Sequence, residues 1–88
     1  MTNRIPESIK REAISREFQV SIRIGKSGVT DTLISEIDTQ LKKRGLVKIK
    51  MNRGLFERKD IPEMWAQLAE QTSSVIVLSR GNVGVLWR

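Results

Sequence analysis

The chain contains no cysteine, no histidine and no tyrosine among its 88 residues. Without cysteine it has neither a disulfide framework nor a thiolate metal site, a composition typical of intracellular proteins. Without histidine it lacks the commonest general base, and its acidic residues do not have the spacing of metal ligands. We therefore expect a non-enzymatic protein that uses neither a metal nor a cofactor.

Long apolar runs are also absent. No stretch approaches the roughly 20 apolar residues that cross a bilayer, and the first residues lack the apolar core of a signal peptide. Apolar residues make up 39% and charged residues 30% of the chain, which is the balance of a soluble folded protein. A chain of this length accommodates one domain, so we expect residues 1–88 to form a single cytoplasmic domain without a membrane partner.

Positive charge is concentrated in one part of the chain. The net charge is +6, whereas the window 41–59 alone carries +7, so the remaining residues sum to −1. The basic residues of this window are Lys42, Lys43, Arg44, Lys48, Lys50, Arg53, Arg58 and Lys59. Its single acidic residue is Glu57. A nearly neutral body with one basic segment indicates a surface for a polyanion rather than general solubility.

The periodicity of the apolar residues predicts seven elements in the order α-β-α-β-α-β-β. They cover residues 7–18, 19–24, 30–44, 46–51, 60–72, 75–78 and 85–88. Each strand–helix–strand passage favours a right-handed crossover and a parallel pair of strands, and the last two strands form a hairpin. The pattern therefore predicts an α/β fold with one mixed four-stranded sheet packed by helices. The continuous apolar run 75–78 predicts a strand that is covered on both sides or central in the sheet.

Capping residues mark the ends of two predicted helices. Thr30 is placed to cap the second helix, and Gly45 follows its basic last turn as the residue that lets the chain reverse. Asp60 and Glu63 have the spacing of a capping box at the start of the third helix. Trp65 has the apolar spacing of that helix, which predicts a place in the core.

The junction between the first strand and the second helix carries the most informative motif. Residues 25–28 are Gly-Lys-Ser-Gly, and two glycines three apart let a backbone approach a phosphate at a helix N-terminus. We expect the amides at and after Gly28, together with the Lys26 ammonium, to bind phosphate. The alternative is a tight turn that needs a positive φ. A nucleotide-binding P-loop requires a further glycine where the chain has Val20, which argues against an NTPase.

Two lysines alternate with apolar residues in the second predicted strand. Lys48 and Lys50 lie on the face opposite Val47 and Ile49. Burying both lysines without partners is costly, so their face of the sheet is predicted to be open or near an edge. Arg80, beside the predicted hairpin turn, is a candidate for one more phosphate contact.

Aromatic residues make up only 5% of the chain, so base stacking is not expected to be the main mode of binding. Trp87 has two interpretations, a core residue or a stacking platform. A second Gly-x-x-Gly, formed by Gly81 and Gly84, is explained by the predicted hairpin turn. The composition favours contacts to phosphates and 2′-hydroxyls, and hence structured RNA over single strands.

Three segments in a fixed order resemble a known family. They are Ile-Gly-Lys-Ser-Gly-Val-Thr at residues 24–30, Leu-Val-Lys-Ile-Lys at residues 46–50, and a glycine at 81 ahead of Val-Leu-Trp-Arg at residues 85–88. This order, with an amphipathic helix after the first segment, resembles the CRM domain (chloroplast RNA splicing and ribosome maturation) over residues 5–88. Its bacterial stand-alone members are the YhbY-like proteins.

The resemblance implies a fold similar to the C-terminal domain of translation initiation factor three, with strand order 1-2-4-3. It also implies RNA binding in which the loop 25–28 takes part, and the stand-alone members are linked to precursors of the large ribosomal subunit. Two residues depart from the commoner family pattern, Ser27 where asparagine is frequent and Trp87 where tyrosine is usual. These departures leave the fold unaffected and concern the preference for particular RNAs.

We therefore expect a monomeric, non-enzymatic protein that binds structured ribosomal RNA or the pre-ribosomal large subunit. The candidate RNA-binding residues are Gly25, Lys26, Ser27, Gly28, Lys42, Lys43, Arg44, Lys48, Lys50, Arg53 and Arg80. Two alternatives follow from the same charge pattern. One is an adaptor whose basic face binds an acidic protein, and the other is a DNA-binding chromatin protein.

Overall fold

The computed structural model of the chain describes residues 5–88. Within this range it contains three α-helices, four strands and one short 3₁₀-helix. The helices are α1 (Glu7–Ile14), α2 (Asp31–Arg44) and α3 (Ile61–Gln71), and the 3₁₀-helix is Arg58–Asp60. The strands are β1 (Ile22–Ile24), β2 (Leu46–Met51), β3 (Val75–Arg80) and β4 (Val83–Trp87). None of the described helices has the length and apolar character needed to cross a membrane.

The four strands form one mixed sheet in the order β1-β2-β4-β3. β1 pairs with β2 in parallel, whereas β4 is antiparallel to both of its neighbours, β2 and β3. The element order and the mixed sheet that the sequence predicted are thereby confirmed, as is the strand order 1-2-4-3 that the family resemblance implies. The parallel pair predicted for each strand–helix–strand passage forms between β1 and β2 but not between β2 and β3, because β4 lies between them.

The ends of α2 follow the predicted capping chemistry. The Thr30 hydroxyl accepts a hydrogen bond from the Leu33 amide at 3.1 Å, which satisfies one of the free donors of the first turn. At the other end Gly45 adopts φ 74°, and its amide donates to the Leu41 carbonyl at 2.7 Å. Only glycine takes this left-handed conformation without strain, so the chain can turn there and enter β2.

One face of the sheet packs against α2 and α3 and forms the main core. Its buried residues from the strands are Ile22, Ile24, Val47, Ile49, Met51 and Leu86, and from the helices Leu33, Ile37, Leu41, Met64, Trp65 and Leu68. Trp65 is 1% exposed, as predicted. Its indole ring lies directly on Gly84 of β4, where an added Cβ would be 2.9 Å from three ring carbons. Close helix–sheet approach, rather than the hairpin turn, is therefore the reason for glycine at position 84.

The opposite face of the sheet is covered in part by α1. Ala13, Leu46 and Val85 form a second buried cluster there, against which Phe18 and Trp87 pack. This packing favours the core interpretation of Trp87, which is half-buried.

Two predicted boundaries near the N-terminus are wrong. The first helix ends at Ile14 rather than Phe18, because Ser15 has extended dihedral angles and its hydroxyl accepts the Glu17 amide at 3.3 Å. This local bond offers the backbone an alternative to the helix. The first strand is limited to residues 22–24, since only these pair with β2. The Ser21 amide also donates to the Lys48 backbone carbonyl, but Ser21 is not part of the strand.

One further expectation needs correction, at the start of α3. Asp60 and Glu63 do not form a capping box, because Asp60 is the last residue of the 3₁₀-helix that leads directly into α3 and makes no side-chain cap.

The apolar run in β3 was predicted to be covered on both sides or central in the sheet, and the first alternative is confirmed. β3 lies at the edge of the sheet, and α1 and α3 cover its two faces.

Arg88 forms hydrogen bonds to three parts of the fold. The Arg88 guanidinium donates to the Asp38 carboxylate of α2 at 2.6 Å and to the Thr72 carbonyl after α3 at 2.9 Å. Its backbone amide donates to the carbonyl of Gly45 at 3.0 Å. The hydrogen bond from Arg88, and then that from Lys42, lowers the pKa of Asp38 below its ordinary value.

We expect Gly84→Ala to destabilise the domain by about 1–3 kcal/mol, because the new methyl group overpacks the Trp65 ring. Thermal unfolding followed by circular dichroism measures the effect, about 4–8 °C per kcal/mol for a domain of this size. Gly25→Ala is the matched control: Gly25 also lacks a positive φ, and the nearest atom to an added Cβ is 4.0 Å away. Equal stability of the two variants would contradict this account of Gly84.

We expect the stability of the wild type to fall more steeply in acid than that of Asp38→Asn. The pKa of Asp38 is lowered in the folded state, so its ionised form stabilises the fold above the ordinary carboxyl pKa of 3.8, and this contribution is lost as the pH falls through the folded pKa. Urea unfolding between pH 7 and about pH 2.5 measures the difference.

The control for Asp38→Asn is Glu36→Gln, which removes an exposed carboxylate of the same helix. Within residues 5–88 Glu36 has no ion-pair partner. This variant should retain the acid dependence of the wild type. If Asp38→Asn also retained it in full, the Arg88 contact would contribute nothing to stability.

Candidate nucleic-acid interface

The glycine loop, residues 25–28, is a tight turn with an exposed tip. The Gly28 amide donates to the Gly25 carbonyl at 2.9 Å, and Gly28 has a φ of 67°. Lys26 and Ser27 are exposed between them. The loop therefore satisfies both interpretations in part: it needs glycine for its turn, and it presents Lys26 to solvent. The Gly28 amide, however, is occupied, contrary to the expectation that it is free for phosphate.

Two groups already interact with the positively polarised N-terminus of α2. The Thr30 hydroxyl caps the Leu33 amide, and the Asp31 carboxylate lies in the same turn. A carboxylate at a helix N-terminus interacts favourably with the helix dipole and repels an incoming phosphate. The tip of the glycine loop is thus better suited to a phosphate than the axis of the helix.

Three loops meet at one end of the sheet. β1 and β2 are parallel and end together, and the Asn52 amide donates to the Ile24 carbonyl at 3.0 Å. β4 begins at the same end, where the Met51 amide donates to the Asn82 carbonyl at 2.9 Å. The glycine loop, the segment 52–59 and the turn 81–82 therefore adjoin one another. We call this region the loop end.

Half of the predicted basic site residues lie at the loop end. Lys26, Lys50, Arg53 and Arg80 are all exposed there. Arg58, a member of the basic window, shares a concave surface with Arg53, Gly81 and Asn82. The loop end therefore brings together cations that are up to about 50 residues apart in sequence.

The other part of the basic window lies at the opposite end of the domain. Lys42, Lys43 and Arg44 form the last turn of α2, which starts next to the glycine loop and has 14 residues. At 1.5 Å per residue the two ends of α2 are about 21 Å apart. Since the Debye length at physiological ionic strength is about 8 Å, this helix-end cluster and the loop end are separate electrostatic surfaces. The structure thus divides the predicted basic segment in two.

Lys48 has an intramolecular role. Its ammonium donates to the Phe18 carbonyl at 3.1 Å and lies 5.9 Å from the centre of the Phe18 ring. The carbonyl and the ring compensate the partial burial of the charge. Of the two lysines that were predicted to face a partner, only Lys50 is exposed.

Sequence reasoning missed Arg23 as a site residue. Arg23 is the exposed residue of β1, pairs with Lys50 of β2 and lies two residues before the start of the glycine loop. Its outward position was visible in the alternation of the strand. Its neighbours were not, because they depend on the register between strands.

Negative charge borders the other flank of the glycine loop. A shallow cleft beside Gly28 and Val29 is lined also by Phe56, Asp60 and Glu63. Its carboxylates confine the positive surface to the side of the loop that faces segment 52–59 and the sheet. Across the described residues no group of three acidic side chains is arranged to hold a metal ion.

A model of the CRS1 / YhbY (CRM) domain family matches residues 6–88, and the chain belongs to this family. It is 28% identical over 88 residues to a protein of Methanocaldococcus jannaschii named as a probable RNA-binding protein. That match covers 100% of this chain and 63% of the relative, so the chain spans less than two thirds of the relative's length.

A solved structure shows the same fold. The solution structure of a hypothetical protein from Staphylococcus aureus, described as a candidate RNA-binding protein, is similar with a TM-score of 0.73. The sequences are 26% identical, and the match covers 97% of this chain and 88% of that one. The family resemblance and the predicted fold class are confirmed by these comparisons.

Proposed function

We propose that the chain is an RNA-binding protein that contacts the RNA backbone at the loop end. The observation that carries the proposal is the convergence of the glycine loop, the segment 52–59 and the turn 81–82 in a CRM-family fold. Exposed cations lie within the first two of these loops and directly before the third, at Lys26, Arg53 and Arg80. The names given to the two relatives support RNA as the partner.

The contacts are to phosphates and 2′-hydroxyls rather than to stacked bases. Trp65 is buried in the main core, Phe56 of segment 52–59 packs against that core, and Phe18 and Trp87 pack in the second cluster. The exposed groups of the loop end are instead ammonium and guanidinium ions, which bind phosphate oxygens. Such a surface suits a structured RNA, whose backbone is presented in a fixed geometry.

The RNA of this proposal is ribosomal RNA, free or in precursors of the large subunit, as the family resemblance implies. The helix-end cluster is a secondary contact, available to RNA long enough to span the roughly 21 Å length of α2. The protein acts without catalysis, as a monomer in the cytoplasm. Its proposed role is to hold or order RNA structure.

We expect RNA affinity to fall steeply with salt. If about six to eight phosphates are contacted, the logarithm of the association constant changes with log salt by a slope of roughly −4 to −7. Filter binding to a fragment of large-subunit ribosomal RNA between 50 and 300 mM KCl measures the slope, with duplex DNA of equal length as competitor. A flat response, or stronger competition by the duplex DNA, would contradict the proposal.

Charge removal at the loop end should weaken binding more than equal removal at the far end of α2. Lys26→Ala/Arg53→Ala is expected to lose about tenfold in affinity for a short RNA hairpin and to lower the salt slope by about 1–2. The matched control Lys42→Ala/Lys43→Ala removes the same charge and should lose less than threefold, because a short hairpin on the loop end does not reach these residues. The reverse order of the two losses would place the primary contact at the helix-end cluster.

A further inference from the structure

The register of the sheet places three cations in one line across its four strands. Arg23 of β1 is opposite Lys50 of β2, and Lys50 is opposite Val83 of β4. Val83 is in turn opposite Arg80 of β3. Because side chains alternate between the two faces of a sheet, all of these residues lie on the same face, the one that carries Lys48 and α1. We call Arg23, Lys50 and Arg80 the cationic row.

The cationic row is open to solvent. Its three cations are exposed, and Val83 between them is half-buried. α1 packs on the neighbouring part of this face, where Leu46 and Val85 are buried. Among residues 5–88 no carboxylate lies within 4.0 Å of any of the three charges. The row is therefore positive charge without an internal counter-ion.

Folding alone gives no reason for this arrangement. Like charges directly opposite on neighbouring strands repel and destabilise the pair, and Arg23 and Lys50 are such a pair. An acidic or neutral residue at either position would serve the sheet better. A local choice that opposes stability is the kind of feature found at functional sites.

The dimensions of the row match an extended polyanion. Neighbouring strands are about 4.8 Å apart, so the row extends over roughly 14 Å from β1 to β3. One end of the row lies next to the glycine loop, which starts two residues after Arg23. The other end adjoins the turn 81–82, which follows Arg80 directly. The row thus continues the loop end onto the face of the sheet.

We propose that the RNA backbone runs from the glycine loop across the face of the sheet, perpendicular to the strands, with its phosphates on Arg23, Lys50 and Arg80. This inference rests on the proposed function and assigns the path that the RNA takes. The neutral member of the row is Val83, which offers no hydrogen-bonding group to a base edge. The contact is therefore to the backbone and independent of base sequence.

The test compares two triple variants with the same loss of charge. Arg23→Gln/Lys50→Gln/Arg80→Gln removes the row, and Lys42→Gln/Lys43→Gln/Arg44→Gln removes the helix-end cluster as the matched control. For a short RNA hairpin we expect the row variant to lose about 30-fold or more in affinity, and the control less than threefold. The salt slope should fall by about 2–3 for the row variant only, equally for two hairpins of different sequence.

Stability and charge rescue separate binding from folding. The melting temperature of the row variant should stay equal to that of the wild type or rise, since repulsion between Arg23 and Lys50 is removed. Lys50→Arg should keep wild-type affinity, whereas Lys50→Gln should lose several-fold. Equal losses in the two triple variants, or a fall in melting temperature that accounts for the loss, would overturn the proposed path.

Lys26→Ala, measured in the same series, separates this inference from the proposed function. If Lys26→Ala weakens binding while the row variant behaves like its control, RNA binds at the loop end and the path across the sheet is wrong. If the wild type itself does not bind RNA, the proposed function fails and the inference fails with it.

Discussion

The parallel pairing of β1 with β2 determines where two of the three loops of the loop end lie. Parallel strands end on the same side, so this short pairing brings the glycine loop beside the segment 52–59. Its register, with Ile22 opposite Ile49, also sets Arg23 opposite Lys50. A shift by one residue would exchange the two faces of β1 and bury the arginine in the main core. The apolar residues of β1 thereby fix the position of its charge.

The main core leaves one region of the sheet available for a partner. α2 and α3 pack on one face, and the contact of the Trp65 ring with Gly84 leaves no space for a further side chain between α3 and β4. The indole nitrogen of Trp65 is buried without a hydrogen-bond partner among the described residues. The contacts of Trp65 on this face are therefore apolar packing rather than hydrogen bonds. Exposed polar chemistry is concentrated at the loop end and beside α1.

The features set by neighbours in sequence could be predicted, and those set by distant partners could not. Thr30 and Gly45 act within one turn of the chain, and their caps were predictable. Lys48 finds its acceptor 30 residues away, at the Phe18 carbonyl, so its partial burial was invisible. The division of the basic window depends on β2, which separates Arg44 from Arg53, and on its pairing with β1, which places the second part of the window beside the glycine loop. The position of Arg23 opposite Lys50 could be seen only from the strand register.

Both outer strands of the sheet carry features that oppose pairing with another chain. β1 has only three residues and presents a charged side chain, and β3 has a shift in its pairing between Ile76 and Leu78 and ends in Arg80. Short length, charge and bulges are common means by which proteins keep open sheet edges from joining. Arg23 and Arg80 thus also protect the two edges, which links solubility of the free protein to the residues proposed for RNA. Bound RNA would neutralise these charges, and the short β1 and the irregular β3 would then remain as the barrier to edge-to-edge association.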